Sequence, residues 1–316
     1  MLEIKSSYLQ SSSLDDELHK LAFTLFVPKE TQIRGTVLIL HGMQEHSGRY
    51  ADFAKFLAEN GFAVVTYDHL GHGKTAEINK KFGYFYKKDP MNQVVLDAEN
   101  MAAYLEHKYP TVPHFVLGHS MGSFITRCLL QVAQQRFDGA IIVGTGGPKA
   151  GIGFAKAWFA LKNKLAPEKQ DQFVNKLFVK INNVKFKNEP SHHGTNWLSK
   201  SIENRDEFLK DPLCGIPFTN NGFYTLLSVV ERATTKNWAK DIIRKFPFLF
   251  VSGEDDPIGD FGKGVKITYQ QLVNKGFQDV SLKLYPKMRH EILNEINKDE
   301  VYNDILNWLN QRVQPN

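Results

Sequence analysis

Hydrophobic and polar positions alternate in two segments near the start of the chain, Leu2–Gln10 and Glu17–Val27. Alternation sends successive side chains to opposite faces of an extended backbone, so these segments predict an antiparallel pair or a sheet edge. The pattern then changes. Gly35–Leu40 and Phe62–Tyr67 are short apolar runs of the kind buried on both faces, and His114–Leu117, Ala140–Val143, Phe246–Val251 and Val280–Tyr285 continue the series. Between them lie stretches with helical spacing. Tyr50–Asn60 stops at Gly61, and further helices are expected after Ser120, near Lys263–Lys275 and up to about Trp308. The strand at 62–67 should run into a glycine-rich turn from Asp68 to Thr75. The clearest helix has Asp89 as cap and Pro90 in its first turn, followed by an apolar stripe through Met91, Val94, Val95, Ala98, Met101, Ala102 and Leu105.

Strands alternating with helices predict an α/β protein, with a mostly parallel central sheet and helices on both faces. Residues 149–220 break that alternation. They contain no convincing buried strand but do carry helical stripes, Phe154, Ala157, Trp158, Leu161 and Leu165, then Phe173, Leu177, Phe178 and Ile181. The expected organisation is one α/β core, residues 1–148 and 221–316, with a helical cap inserted at 149–220.

Composition narrows the class. The chain has 316 residues, 42% of them hydrophobic and 23% charged, enough for a substantial core and ordinary for a globular protein. No run approaches the ~18 apolar residues of a spanning helix. Met1–Gln10 lacks the basic and apolar regions of a secretory signal. Cys128 and Cys214 make no disulfide framework and lack metal-ligand spacing, so a cytoplasmic enzyme in a reducing compartment is expected. The net charge of +5 is unevenly placed. Lys149 to Lys200 holds ten lysines against Glu168, Asp171 and Glu189, a net of +7, which leaves −2 for the rest. No nucleic-acid module accompanies this charge, so nucleic acid is not an expected partner. The apolar stripes of the cap leave two readings: packing on the core, or docking on an anionic membrane surface.

Gly118-His-Ser-Met-Gly122 fits G-x-S-x-G between a predicted strand and a predicted helix, the setting of a nucleophile elbow. There the turn lifts the Ser120 hydroxyl above the sheet and leaves the Met121 amide at a helix N-terminus, aimed at a developing oxyanion. A serine needs a base. In the chain order Ser, acid, His, the only histidine on a loop after the last predicted strand is His290. The acid should follow the strand before it, where Asp256 is taken ahead of Asp255 and Glu254. Other signals are weaker. Gly71-His-Gly-Lys-Thr-Ala76 fits a dinucleotide fingerprint but lies outside the first βα unit and precedes no apolar-striped helix. His192-His193 is read as a solvated cap loop, because neighbouring histidines do not share a face.

Four stretches resemble the monoacylglycerol lipase and bacterial lysophospholipase branch of the α/β-hydrolases: His41-Gly-Met-Gln-Glu-His-Ser-Gly-Arg-Tyr50, Tyr67-Asp-His-Leu-Gly-His-Gly73, the elbow, and His290-Glu-Ile-Leu-Asn-Glu295. Asp211-Pro-Leu-Cys-Gly215 is similar to the bacterial members, and the resemblance runs from about residue 15 to the C-terminus. It implies an α/β-hydrolase fold and a serine ester hydrolase of lipid monoesters, with Ser120, His290 and Asp256 as triad. It further implies that Met43 supplies a second oxyanion amide beside Met121, and that Gly42, Glu45 and His119 contact substrate. No metal and no organic cofactor are expected. The alternatives are a proline-releasing aminopeptidase or general carboxylesterase of the same fold, and an inactive binding module.

Overall fold

In the computed structural model, which describes residues 1–11, 18–190 and 192–313, the two alternating segments pair as expected. Strand β1 (Leu2–Ser11) runs antiparallel to β2 (His19–Pro28), with Leu2 opposite Pro28 and Ser11 opposite His19. Glu17, the expected first residue of the second segment, lies outside the described residues. The apolar runs become β3 (Gly35–Leu40), β4 (Phe62–Tyr67), β5 (His114–His119), β6 (Gly139–Val143), β7 (Phe248–Gly253) and β8 (Val280–Tyr285). Among the described residues these form one eight-stranded sheet in the order β1-β2-β4-β3-β5-β6-β7-β8. The β2–β4 pairing is antiparallel, and every pairing from β4 to β8 is parallel.

Both faces of β3, β4, β5, β6 and β7 are buried, which is why their sequences are apolar runs, whereas the edge strand β8 alternates and is only partly buried. Leu38 and Leu40, Val65 and Tyr67, and Phe248 and Phe250 point to one face. There they meet α3 (Pro90–Lys108), α4 (Met121–Ala133) and α8 (Asn220–Thr234). Their neighbours Val37 and Ile39, Val64, and Leu249 and Val251 point to the other, against α1 (Ala51–Glu59) and α10 (Lys298–Asn310). Each such side chain taken from water stabilises the fold by ~1.5–3 kcal/mol before entropy is counted. The α3 cap is as expected: the Asp89 carboxylate accepts from the Asn92 amide, and Pro90 opens the helix. Helix α9 (Lys263–Asn274) covers the far end of the sheet.

Two expectations change. The predicted glycine-rich turn at 68–75 contains the start of a helix, α2 (Gly73–Asn79). It is too short to show a periodic stripe and is anchored through Asp68, whose carboxylate accepts from the amides of Ser47 and Lys74, both at 2.8 Å. The second change concerns the segment between β6 and β7. It forms α5 (Ile152–Leu165), α6 (Gln172–Asn182) and α7 (Ile202–Lys210). The α5 stripe does not pack on the core: Phe154 is 81% exposed, Trp158 55%, Leu161 52% and Leu165 73%, and the side chain that α5 buries is Phe159. Phe173, Leu177 and Ile181 of α6 are likewise exposed. Among the described residues no helix is long and apolar enough to cross a membrane.

The strand order reverses about β3, which has β4 on one side and β5 on the other. Loops leaving the carboxyl ends of β3 and β5 therefore diverge and open a crevice, the general location of ligand sites in such sheets. Three histidines sit beneath it. His41, His69 and His72 are fully buried, with the His41 ring 4.3 Å from that of His69 and 5.0 Å from that of His72. Burial holds His41 down at about 4 and His72 at about 3, both below the ordinary 6.5, and keeps His69 well below it as well. These rings are neutral when folded and take up protons on unfolding. Their contribution is complete above about pH 6.5 and is lost as pH falls toward 4 and 3. Stability should drop through that window by ~1.4 kcal/mol per pH unit for each such histidine. Thermal melts at pH 7, 5.5 and 4.5 check this, and His72→Leu should flatten the slope by about one proton.

Candidate active site

Ser120 ends β5 and precedes α4 with φ 53° and ψ −119°, a strained conformation for a residue with a side chain. The two flanking glycines make it attainable. A Cβ on Gly122 would stand 2.1 Å from the Leu40 carbonyl oxygen, and one on Gly118 would stand 2.3 Å from the Gly122 carbonyl oxygen. Such separations are impossible, so α4 reaches this depth against β3 and β5 only with glycine at both positions. The Ser120 amide is fixed to the Val143 carbonyl at 3.0 Å. The Met121 amide, first in α4, is among the helix N–H groups without an intrahelical acceptor.

His290 lies on the loop after β8, 2% exposed, and its Nδ1 is 2.9 Å from Asp256 Oδ1. Asp256 is fully buried, and its oxygens also accept from the Ile258 amide at 2.8 Å and the Ser252 hydroxyl at 3.1 Å. The neighbouring acids point elsewhere: Asp255 pairs with Lys200 at 3.6 Å, and Glu254 is exposed. Ser120 and His290 line the same small cavity. Among the described residues they make no direct hydrogen bond, a separation common before substrate is bound.

Gly42, Met43, Glu45 and His119 border that cavity too. Glu45 and His119, expected at the substrate, direct their polar atoms to the protein. Glu45 Oε1 accepts from the Gly42 amide at 2.6 Å and the Tyr50 hydroxyl at 2.6 Å, and stands 3.2 Å from His119 Nδ1. His119 Nε2 reaches the His290 carbonyl at 3.2 Å. Burial alone would push the Glu45 carboxyl up. The His119 contact and the charges of His119 and Arg49 outweigh it and hold the carboxyl well below the usual carboxylate range.

Several neighbours of His290 carried no sequence signal, because their partners come from the segment between β6 and β7. The Trp197 ring lies 5.0 Å from that of His290. Arg289 donates to both Glu189 carboxylate oxygens, at 2.5 and 2.6 Å, and to the Asn196 carbonyl at 2.5 Å. Glu291 Oε2 accepts from Arg49 at 2.7 Å and from Asn204 at 2.6 Å. Residues on both sides of the base are thus fastened to residues 189–204.

Ser120 and Met43 also border a second cavity of about 510 Å³, walled by apolar side chains of α5, α6 and α8, including Phe159, Val174, Phe178, Phe223, Leu227 and Val230. The first cavity is only about 30 Å³ and contains the carboxylate residues Glu45 and Glu291. Phe178 belongs to both, so the serine stands between a large apolar space and a small polar one.

A sheet of this order, with a serine elbow at its centre and an acid-bound histidine after its last strand, has the α/β-hydrolase fold. Residues 31–297 match the family described as "Serine aminopeptidase, S33". The chain belongs to that family and is a serine ester hydrolase. It is 26% identical to the human monoglyceride lipase over 292 residues, 89% of this chain and 84% of the relative. It is 24% identical to a monoacylglycerol lipase of Mycolicibacterium smegmatis over 296 residues, 92% of each. Among solved structures, a thermostable carboxyl esterase of Bacillus coagulans superposes with a TM-score of 0.88 at 26% identity, covering 98% of both chains.

The geometry around the base separates the three acids experimentally. Asp256→Asn should lower turnover by about 10⁴-fold, since the amide favours the wrong His290 tautomer. Asp255→Asn should cost less than about tenfold, because its partner is a surface lysine. Steady-state kinetics of the two variants is the check, and a larger loss at Asp255 contradicts the arrangement.

Proposed function

We propose that this protein hydrolyses lipid monoesters through an acyl-enzyme, with Ser120 as nucleophile, His290 as general base and Asp256 as its orienter. The observation that carries this reading is the position of Ser120 at the junction of a 510 Å³ apolar cavity and a 30 Å³ polar one. An acyl chain fits the first, and the departing alcohol would face the polar second. His290 removes the serine proton as Oγ attacks the carbonyl, while Asp256 accepts from Nδ1–H and stabilises the resulting cation. The Met43 and Met121 amides receive the oxyanion. His290 then protonates the departing alcohol, and water repeats the sequence on the acyl-enzyme.

The alcohol side favours a neutral leaving group. Glu45 and Glu291 both border the small cavity, and Arg49, the cation between them, is engaged by both. A phosphate headgroup would meet carboxylates with no unpaired cation there, so a monoacylglycerol is a better substrate than a lysophospholipid. An aminopeptidase needs a carboxylate for the substrate's terminal amine, and both candidates are committed to Arg49. Residues 149–220 act as the cap. Their exposed apolar side chains, set among lysines, suit an anionic membrane surface from which such esters would be drawn. The free cysteines Cys128 and Cys214 suit the reducing cytoplasm.

Ser120→Ala should lower hydrolysis of a monoacylglycerol by about 10⁶-fold with an unchanged melting temperature. Wild-type rates on a monoacylglycerol, a lysophospholipid of the same chain length and a prolyl amide should fall in that order. Fastest turnover of the prolyl amide would replace the proposal with a peptidase. Docking is tested separately, by sedimentation with vesicles of rising anionic lipid content. Bound protein should increase with anionic lipid and decrease at high salt, and Trp158→Ser with Leu161→Ser should weaken it. Binding that ignores lipid charge and salt contradicts docking through the cap.

A further inference from the structure

His119, the residue before the nucleophile, is enclosed by acceptors. Its Nε2 is 3.2 Å from the His290 carbonyl oxygen, and its Nδ1 is 2.7 Å from the Tyr50 hydroxyl and 3.2 Å from Glu45 Oε1. The Tyr50 hydroxyl is itself 2.6 Å from the same Glu45 oxygen. Protons can be counted around this triangle. Its three short contacts join a carboxylate oxygen, a phenol oxygen and a ring nitrogen, and the phenol supplies one proton. If that proton points at Glu45, as the 2.6 Å contact indicates, Nδ1 must bring its own to reach the tyrosine oxygen. Nε2 needs another for the His290 carbonyl. Glu45 supplies none: it already accepts from the Gly42 amide at 2.6 Å, lies 3.3 Å from Arg49 Nε and is held in its ionised form.

We infer that His119 is a permanent imidazolium, protonated on both nitrogens, and that it serves as a positioning residue for the base. With it the buried cluster is charge-balanced: Glu45 and Glu291 are the anions, Arg49 and His119 the cations. A neutral His119 would leave this cluster one negative charge in excess, at a place where Glu45 is 3% and Glu291 4% exposed. Among the described residues, the titratable groups facing the ring are Glu45, Tyr50, His290 and, further out, Glu291 and His41. The attraction of Glu45 outweighs the loss of solvation on burial, so the ring is held above its usual range.

The consequence for the base is twofold. The His119 N–H bonded to the His290 carbonyl fixes the backbone that carries the base. The His119 ring, centred 4.7 Å from that of His290, also packs beside the imidazole and limits the orientations the base can take. This role rests on the proposed triad for its kinetic effect but not for the charge itself.

The charge is read directly from the ring-nitrogen NMR shifts of protein labelled with ¹⁵N-histidine, assigned against His119→Gln. Two protonated nitrogens are expected at pH 7; a neutral tautomer at that pH overturns the inference. The kinetic arm is the split between kcat and KM for ester hydrolysis. His119→Leu, which removes both ring N–H groups, should lower kcat by about tenfold or more with KM changed by less than about twofold. An unchanged kcat, or a loss carried by KM alone, counts against the positioning role. The NMR measurement needs no substrate, and through-space contacts of the His119 ring with the Tyr50 ring assign it in wild-type protein, so it decides even if a variant fails to fold. It also separates failure of this inference from failure of the ester-hydrolase mechanism.

Discussion

The contact on which the remaining structure turns is the approach of α4 to the strands beneath it. With hydrogen in place of a side chain at Gly118 and Gly122, the helix settles against the carbonyls that end β3, and the chain between them must bend sharply at Ser120. Leu40 and His41, whose carbonyls bound Gly122, lead directly into Gly42 and Met43. One steric requirement thus places Ser120, the Met121 amide and the loop that carries Met43 together. The strain at Ser120 is sustained by the surrounding sheet, whose central strands are buried on both faces.

Around that rigid centre His290 is held differently. His290 lies on a loop, and its position is set by charged and aromatic contacts rather than by sheet pairing. Arg289 grips Glu189 and Asn196, Trp197 lies beside the imidazole, Glu291 joins Arg49 and Asn204, and His119 holds the His290 carbonyl. Buried charges of this kind are costly unless paired, and here each finds partners on a different element. The segment between β6 and β7 consequently has two mechanical parts. Residues 189–204 are tied to the residues around His290, whereas α5 and much of α6 present apolar side chains to solvent and wall the large cavity.

Much of this was legible in the chain. The sheet follows from apolar runs because a strand covered on both faces has no reason to alternate. The elbow follows from two glycines at fixed spacing, because no other residue lets a helix approach so closely. The order of Ser120, Asp256 and His290 could be read because parallel strands deliver their loops to one edge in sequence. Short α2 was missed since seven residues show no period, and its anchor, the Asp68 carboxylate, acts through two backbone amides that leave no mark on composition.

What tertiary structure alone decided is which side of each residue faces what. The stripe through Phe154, Trp158, Leu161 and Leu165 has helical spacing whether it meets a core or water, and its exposure depends on where α5 sits over α8. The family resemblance implies that Glu45 and His119 contact substrate. Their distances to Tyr50, Gly42 and the His290 carbonyl show them occupied by the protein itself. Trp197, Asn204 and Arg289 were invisible for the same reason. Sequence records the local pattern that makes a strand, a helix or a tight turn, but hydrogen bonds and ion pairs between residues a hundred positions apart exist only once the chain has brought them within a few ångströms.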